Sequence, residues 1–521
     1  MTVPSHQRAV QLTGPDTLEL NEQKTIPQPG PHQILARIEV TGLCFSDLKL
    51  LKQFDAHVRK SPVVTILDQA TLNEIPSYVP DQKPAVPGHE TVVRVVAVGD
   101  QVHGVQPGDR RLVQTDYRWL RTANSNAAFG YNFEGGLQEY VLMDERVITS
   151  PNGESMLIPA AEDLSASAIA LVEPWACVED SYVVRERRAP REGGCVLTVD
   201  SSAYDRSALD RIPAESLDDV IFLGADADLL EAVFPKLAKH ALVNLVQRGE
   251  TFGRPVVTPV GRIHYGGVRI TGTTGSDPDA GYAAIPENGE IRAGDAINVV
   301  GAAGPMGTMH VIRNLCQGVQ GITVYAGDMS DERLAQLSKL AEPLAAANGV
   351  GYRGYNAKTD APPGPFNVIA LMVPVPGLVA QAVEQAAPKA IINIFAGIPA
   401  EVTHPLDLDS YIERQAYFIG TSGSTIEDMK IVLSKVTQRQ LDTNLSVAAI
   451  SGLDGAVDGI RAVEHQTIPG KILVYPACRG LKLTRLTELA EAYPDVAQHL
   501  QDGVWTKEAE RALLKSFGEQ P

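Results

Sequence analysis

The chain has 521 residues, 44% of them hydrophobic, which is enough for roughly two to four domains with sizeable buried cores. Its 63 acidic residues outnumber 45 Lys and Arg, for a formal net charge of −18, a balance that repels phosphate backbones and anionic lipid and argues against nucleic-acid or membrane roles. Five dispersed cysteines without a C-x-x-C pair, an N-terminus without an apolar signal core and no apolar run of roughly 18 residues lead us to expect a cytoplasmic protein with reduced thiols.

Residues 1–150 read as β-rich. Ile34 to Val40, Thr91 to Val98 and Leu137 to Met143 are β-branched runs bounded by Gly, Pro and Asp. Three short stretches nearby carry chemistry: Gly42-Leu43-Cys44-Phe45-Ser46-Asp47, Pro87-Gly88-His89-Glu90 and Val172-Glu173-Pro174-Trp175. One thiol, one imidazole and one or two carboxylates form a donor set that suits a catalytic zinc with a position left open. Taken singly, each has an ordinary explanation as a buried small residue, a structural imidazole or a turn-capping carboxylate.

Residues 187–290 are an imperfect repeat of the later chain. Ala241–Val246 resembles Ala390–Phe395, Asp219-Val220-Ile221 aligns with Asn367-Val368-Ile369, and Gly272–Ser276 resembles Gly420–Ser424, all at offsets of 148 or 149. A near-constant offset argues for duplication of half a nucleotide-binding fold. The copy opens at Gly194-Cys195-Val196 without a glycine turn, so it is expected to hold no nucleotide.

The glycine turn comes later. The strand-like run Ala296–Val300 enters Gly301, Gly304 and Gly307, and the helix-forming stretch Thr308–Cys316 leaves them. Such a turn lets the backbone approach a pyrophosphate, whose charge then meets the N–H groups and dipole of the helix start. A second strand, Ile322–Ala326, ends at Gly327-Asp328, and Asp328 lies 21 residues past Gly307, where a carboxylate is placed to receive a ribose 2′-hydroxyl. The same carboxylate repels a 2′-phosphate, so NAD is expected over NADP. Gly301, Gly304, Pro305, Met306, Gly307, Asp328 and Arg333 are the candidate cofactor residues. Alternating strands and helices over 291–477 predict a parallel, doubly wound sheet. In the tail, Leu483, Leu486, Leu489 and Ala490, then Ala509, Leu513 and Leu514, recur at helical spacing and predict two amphipathic helices.

Taken in order, G-x-C-x-S-D, G-H-E, Gly99-Asp100, Gly108-Asp109-Arg110, Gly135-Gly136-Leu137-Gln138-Glu139-Tyr140, Glu173-Pro174, the glycine turn and Gly470-Lys471-Ile472 resemble the zinc-dependent medium-chain alcohol and polyol dehydrogenases, over most of 20–180 and 290–477. The resemblance implies a GroES-like catalytic domain with one zinc and a Rossmann domain with NAD. Cys44 and His89 match its zinc ligands, Glu173 the third-ligand position, and Glu90 a neighbouring carboxylate that can ligate in its place. Ser46 matches the hydroxyl that relays the substrate proton, and Asp47 the carboxylate that orients the imidazole. Glu at the third position points toward polyols and sugars.

Several departures from the family are visible in the residues. The 45 residues between Cys44 and His89 exceed the family spacing, so Phe54 to Gln82 is expected to form a surface loop or lid near the site. Residues 110–140 contain no cysteine, so a second, structural zinc is not expected. Tyr117, Arg118, Trp119 and Arg121 there form either a solvated loop or, through Arg118 or Arg121, a contact to a substrate phosphate or carboxylate. The duplicated strand Gly267–Gly272 either pairs with Ala416–Gly420, covering an edge that joins subunits in relatives, or belongs to an insert that merely extends the surface; the chain is accordingly a monomer by internal strand pairing or a homo-oligomer.

The expected architecture is therefore α/β plus β. Residues 1–186, completed by about 431–479, form the catalytic domain; 187–290 the half-Rossmann insert; 291–430 the NAD domain; and 480–521 a helical extension. The expected activity is hydride transfer between NAD(H) and a secondary alcohol or ketone of a small polyol or sugar. A sugar-phosphate reductase, or a catalytically silent relative serving as a scaffold, is the alternative.

Overall fold

Two units divide the chain: Met1–Ala176 with Thr425–Pro521, and Cys177–Ser424. The computed structural model describes residues 3–518 apart from 361, 363 and 422, so Ser422 of the repeat match lies outside the described residues. The division at 176 falls within the helix Val172–Val183. Among the described residues no helix is long and apolar enough to cross a membrane.

The first unit is built on an eight-stranded sheet. Its central strand, Gln33–Gly42, pairs antiparallel with Glu90–Val98, with Tyr140–Asp144 and with Lys471–Val474. The β-branched residues that predict these strands, among them Ile34, Ile38, Val40, Val92 and Val93, are buried. The run expected from Leu137 becomes a strand only at Tyr140. Before that, the N–H groups of Gly136 and Leu137 donate to the carbonyls of Gly88 and Pro87, which holds the G-H-E turn instead of extending a ladder.

The segment Phe54 to Gln82 is a tied wall, not a free loop. The fully buried Lys60 donates to the carbonyls of Asp81 and Lys83, each at 2.7 Å, and to that of Val79. Val64 N–H reaches the Arg121 carbonyl at 2.8 Å, and Val63 N–H the Tyr78 hydroxyl at 2.8 Å.

The tail differs from two amphipathic helices. Thr484–Arg485 adds a short antiparallel strand beside Val447–Ser451, and only Lys507–Ser516 is a helix of length. Arg485 is extended, with φ of −70° and ψ of 149°, where it pairs with Ala449, so the helix expected over 483–490 does not form as one piece. The later helix is anchored by Glu510, whose carboxylate accepts from Ala166 N–H, Ser167 N–H and the Tyr475 hydroxyl.

The second unit contains two all-parallel sheets. Six strands run in the order Gly351–Asn356, Thr323–Asp328, Ala296–Val300, Phe366–Leu371, Ala386–Ile394, Tyr417–Ile419, the strand order 3-2-1-4-5-6 of a dinucleotide-binding fold. Four run in the order Val196–Asp200, Leu217–Leu223, Leu237–Val246, Arg269–Thr273, which is the same order without its second and third strands. One apolar cluster spans both, from Val199, Phe222 and Leu245 to Phe366, Ile392 and Phe418.

The expected ladder between Gly267–Gly272 and Ala416–Gly420 is not formed among the described residues; the two strands end separate sheets. A side chain spans them instead. The buried Tyr411 hydroxyl donates to the Ile270 carbonyl at 2.7 Å and accepts from Phe418 N–H at 3.0 Å, and Arg269 Nη2 donates to the Gly420 carbonyl at 2.9 Å. Direct pairing between the copies occurs elsewhere, in the antiparallel strands Val256–Thr258 and His404–Leu406.

Candidate active site

Cys44 stands where the central strand gives way to the helix Phe45–Gln53, and Asp47 in the first helical turn holds it there. Asp47 Oδ2 accepts the Cys44 N–H at 3.1 Å, closing the helix start. Its other oxygen lies 3.0 Å from His89 Nδ1. One buried carboxylate thus fixes both the thiol's backbone and the imidazole's orientation; with the proton on Nδ1, Nε2 is left to face a ligand. Burial disfavours a charged His89, but Asp47 outweighs it and raises its pKa well above the ordinary value.

Glu90 opens the next strand and sits opposite Gly42 in antiparallel register. Its Oε1 pairs with the buried Lys471, whose Nζ also donates to the Leu43 carbonyl at 2.7 Å. Its Oε2 is buried without a hydrogen-bond partner. That oxygen occupies space which only glycine at 42 leaves open, since a Cβ there would lie 2.1 Å from it. Ligand atoms of Cys44, His89 and Glu90 all lie within 4.8 Å of one another. A thiol, an imidazole and a carboxylate with an unsatisfied buried oxygen fit a zinc ion.

Glu173 is not in that set. It is buried in the first turn of Val172–Val183 and senses His89 and Glu90; burial first, with Glu90 adding to it, pushes its carboxyl up to about 7 against the lowering effect of His89. Ser46 Oγ lies 3.2 Å from Cys44 Sγ and 3.1 Å from His89 Nε2, and also interacts with the hydroxyl of buried Tyr131. Sequence reasoning assigned no role to Lys471, Gly42 or Tyr131. The first two lie inside quoted motifs, and the one signal available was a lysine that no surface pattern explained.

In the second unit the expected cofactor residues cluster as the turn requires. Gly301 has φ of +82°, which a side chain disfavours, and a Cβ at Gly307 would lie 2.3 Å from the Gly301 carbonyl oxygen. Gly301 and Ala302 N–H both donate to the Gly327 carbonyl, Gly304 caps the helix Pro305–Cys316, and Pro305 and Met306 form its first turn. Asp328 ends its strand buried. Its Oδ1 accepts from Met329 and Ser330 N–H and from Arg333 Nη2 at 2.8 Å, and its Oδ2 from Ala303 N–H at 3.3 Å. Asp328 therefore ties the second strand to the glycine turn and orients Arg333.

Residues 30–152 match the alcohol dehydrogenase GroES-like domain. Across its length the chain is 24% identical to an L-sorbose 1-phosphate reductase of Klebsiella pneumoniae, over 97% of each protein. The chain belongs to the medium-chain dehydrogenase family, a family of oxidoreductases of the alcohol dehydrogenase type. It is also 29% identical to the protein YggP of Escherichia coli over 250 residues, 44% of this chain and 58% of that protein. Its fold is that of the 2R,3R-butanediol dehydrogenase of Bacillus subtilis, with a TM-score of 0.55 at 17% identity, covering 90% of this chain and 99% of that one.

Proposed function

We propose that this medium-chain dehydrogenase holds one zinc on Cys44, His89 and Glu90 and moves a hydride between NAD(H) and a secondary alcohol or ketone of a polyol or sugar. The observation that carries this reading is the convergence of three unlike donors around a buried carboxylate oxygen that has no other partner. When bound, zinc supplies a Lewis acid for the alcohol oxygen and NAD a hydride acceptor. The chain's own residues do the rest. Asp47 keeps the His89 tautomer, Lys471 balances the charge of Glu90, and Ser46, which interacts with the Tyr131 hydroxyl, takes the substrate's hydroxyl proton at Oγ. Glu173 is a neighbouring carboxylate able to ligate in place of Glu90. Gly301, Gly304, Pro305, Met306 and Gly307 take the pyrophosphate, and Asp328 with Arg333 the adenosine ribose, which favours NAD.

A second reading, reduction of a sugar phosphate, is favoured by one observation: the relative that matches over 97% of both chains is a reductase of a sugar phosphate. The test is metal analysis of purified protein together with turnover of NADH and NADPH on ketoses, polyols and their phosphate esters. About one zinc per chain and NADH-linked turnover are expected. Metal-free protein that turns over these compounds would overturn the zinc assignment, and zinc-loaded protein inert on all of them would favour the scaffold.

The role of Gly42 gives a sharper check on the ligand set. Gly42→Ala forces Glu90 to move, and zinc affinity is expected to fall about 10- to 100-fold, read by competition with a chromophoric chelator. Unchanged affinity would remove Glu90 from the shell.

A further inference from the structure

The segment Phe54 to Gln82, which lengthens the gap between Cys44 and His89, contains a single arginine, Arg59. Its guanidinium carbon lies 5.5 Å from the centre of the Tyr131 ring. That ring is 5.8 Å from the ring of His89, and its hydroxyl interacts with Ser46. Arg59 is therefore one aromatic ring removed from the ligand cluster. Asp116 fixes it there, with Nη1 at 2.6 Å from Oδ1 and Nη2 at 3.4 Å from Oδ2. The Asp116 side chain is nearly buried, and the ion pair engages only two of the guanidinium's five N–H groups.

His57 stands beside it. Its Nδ1 accepts the Arg59 backbone N–H at 3.2 Å and its ring lies 5.2 Å from that of Tyr131. Burial, then the charges of Arg59 and Lys49, hold its pKa down to about 4. The imidazole is neutral, and with Nδ1 accepting, Nε2 carries the proton. A neutral polyol needs no cation here. A planar guanidinium braced along one edge by a carboxylate and stacked on a phenol ring is a recogniser of oxyanions, and a donor at its side extends the same site. Arg118 and Arg121, the sequence candidates for this role, are exposed on the strand Asp116–Arg121, whereas Arg59 is the arginine that stacks on Tyr131.

We propose that Arg59, with the His57 Nε2–H, binds the phosphate monoester of a sugar phosphate whose carbonyl or hydroxyl reacts at the Cys44, His89 and Glu90 cluster. The inference rests on the reading of that cluster as a sugar oxidoreductase site.

The experiment compares D-fructose with its 1-phosphate ester in NADH-linked reduction by the zinc-loaded wild type, Arg59→Met and Arg59→Lys, with zinc content measured for each. In Arg59→Met the ratio of kcat/KM for the ester to kcat/KM for the free sugar falls about 10- to 100-fold, through KM. Arg59→Lys, which keeps the charge but not the fork, loses less. Loss on both compounds in equal proportion shows that Arg59 only braces Asp116 and overturns the proposal, as does an unchanged ratio. If the wild type reduces neither compound, the functional reading fails on these substrates, and inorganic phosphate then decides the subsite by itself. A thermal upshift by phosphate in the wild type that is lost in Arg59→Met supports the proposal, and the same response in both, or none in either, overturns it.

Discussion

Replacing Cys44 with alanine removes the bound zinc and, with it, at least about 1,000-fold of the turnover rate, while the protein still folds and still binds NADH. The thiol is the one soft donor among three groups lying within 4.8 Å of one another, and no other cysteine belongs to the cluster. Without it, an imidazole and a carboxylate remain, too few ligands for a tight zinc site. The fold survives because Asp47 holds position 44 through its backbone N–H, which alanine retains. NADH binding survives because the glycine turn and Asp328 form their contacts within the second unit. Metal analysis, circular dichroism and NADH fluorescence titration on one preparation read all three. Zinc retained by the variant would sink the assignment of Cys44, and loss of NADH binding together with the metal would mean that the variant had misfolded.

How much of this was legible beforehand depends on whether a residue's role is local. The helix start at Cys44, the strand at Glu90 and the glycine turn are each set by neighbours within a few residues, so spacing sufficed. Asp47 is a helix-start carboxylate three residues past Cys44, and its second bond, to His89, could be expected once the metal donors were in view. Lys471 is different. It lies 381 residues from Glu90, and only the pairing of Lys471–Val474 with Gln33–Gly42 brings its ammonium to that carboxylate. Arg59 was hidden for a similar reason. Its partner, Asp116, is 57 residues away, and nothing local separates an arginine in a stacked ion pair from one on a solvated loop. The C-terminal tail fails for the same reason in reverse: Leu483, Leu486 and Leu489 have helical spacing, but Thr484–Arg485 is drawn into a strand by Val447–Ser451, a partner more than thirty residues away.

The duplication was legible as an offset of 148, and the structure gives that offset a geometric meaning. In the pairing of Val256–Thr258 with His404–Leu406, Val257 lies opposite Pro405, its own equivalent 148 residues on. Equivalent residues facing one another is what a two-fold axis produces between identical subunits, so the copies meet as two halves of an isologous interface inside one chain. Within the later copy Tyr411 stacks on Phe418 with ring centres 4.5 Å apart, and its hydroxyl crosses the interface, between the Ile270 carbonyl of the first copy and the Phe418 N–H of its own. Tyr411→Phe keeps the ring and removes the bridge, leaving two buried backbone groups without that partner. The expected loss is about 2–6 kcal/mol in the unfolding of this unit, since each of the two orphaned groups costs about 1–3 kcal/mol. Urea titration followed by circular dichroism measures it. A loss below about 0.5 kcal/mol, the range of an ordinary surface substitution, would show that the two edges are held by apolar packing alone and that the hydroxyl merely fills the gap between them.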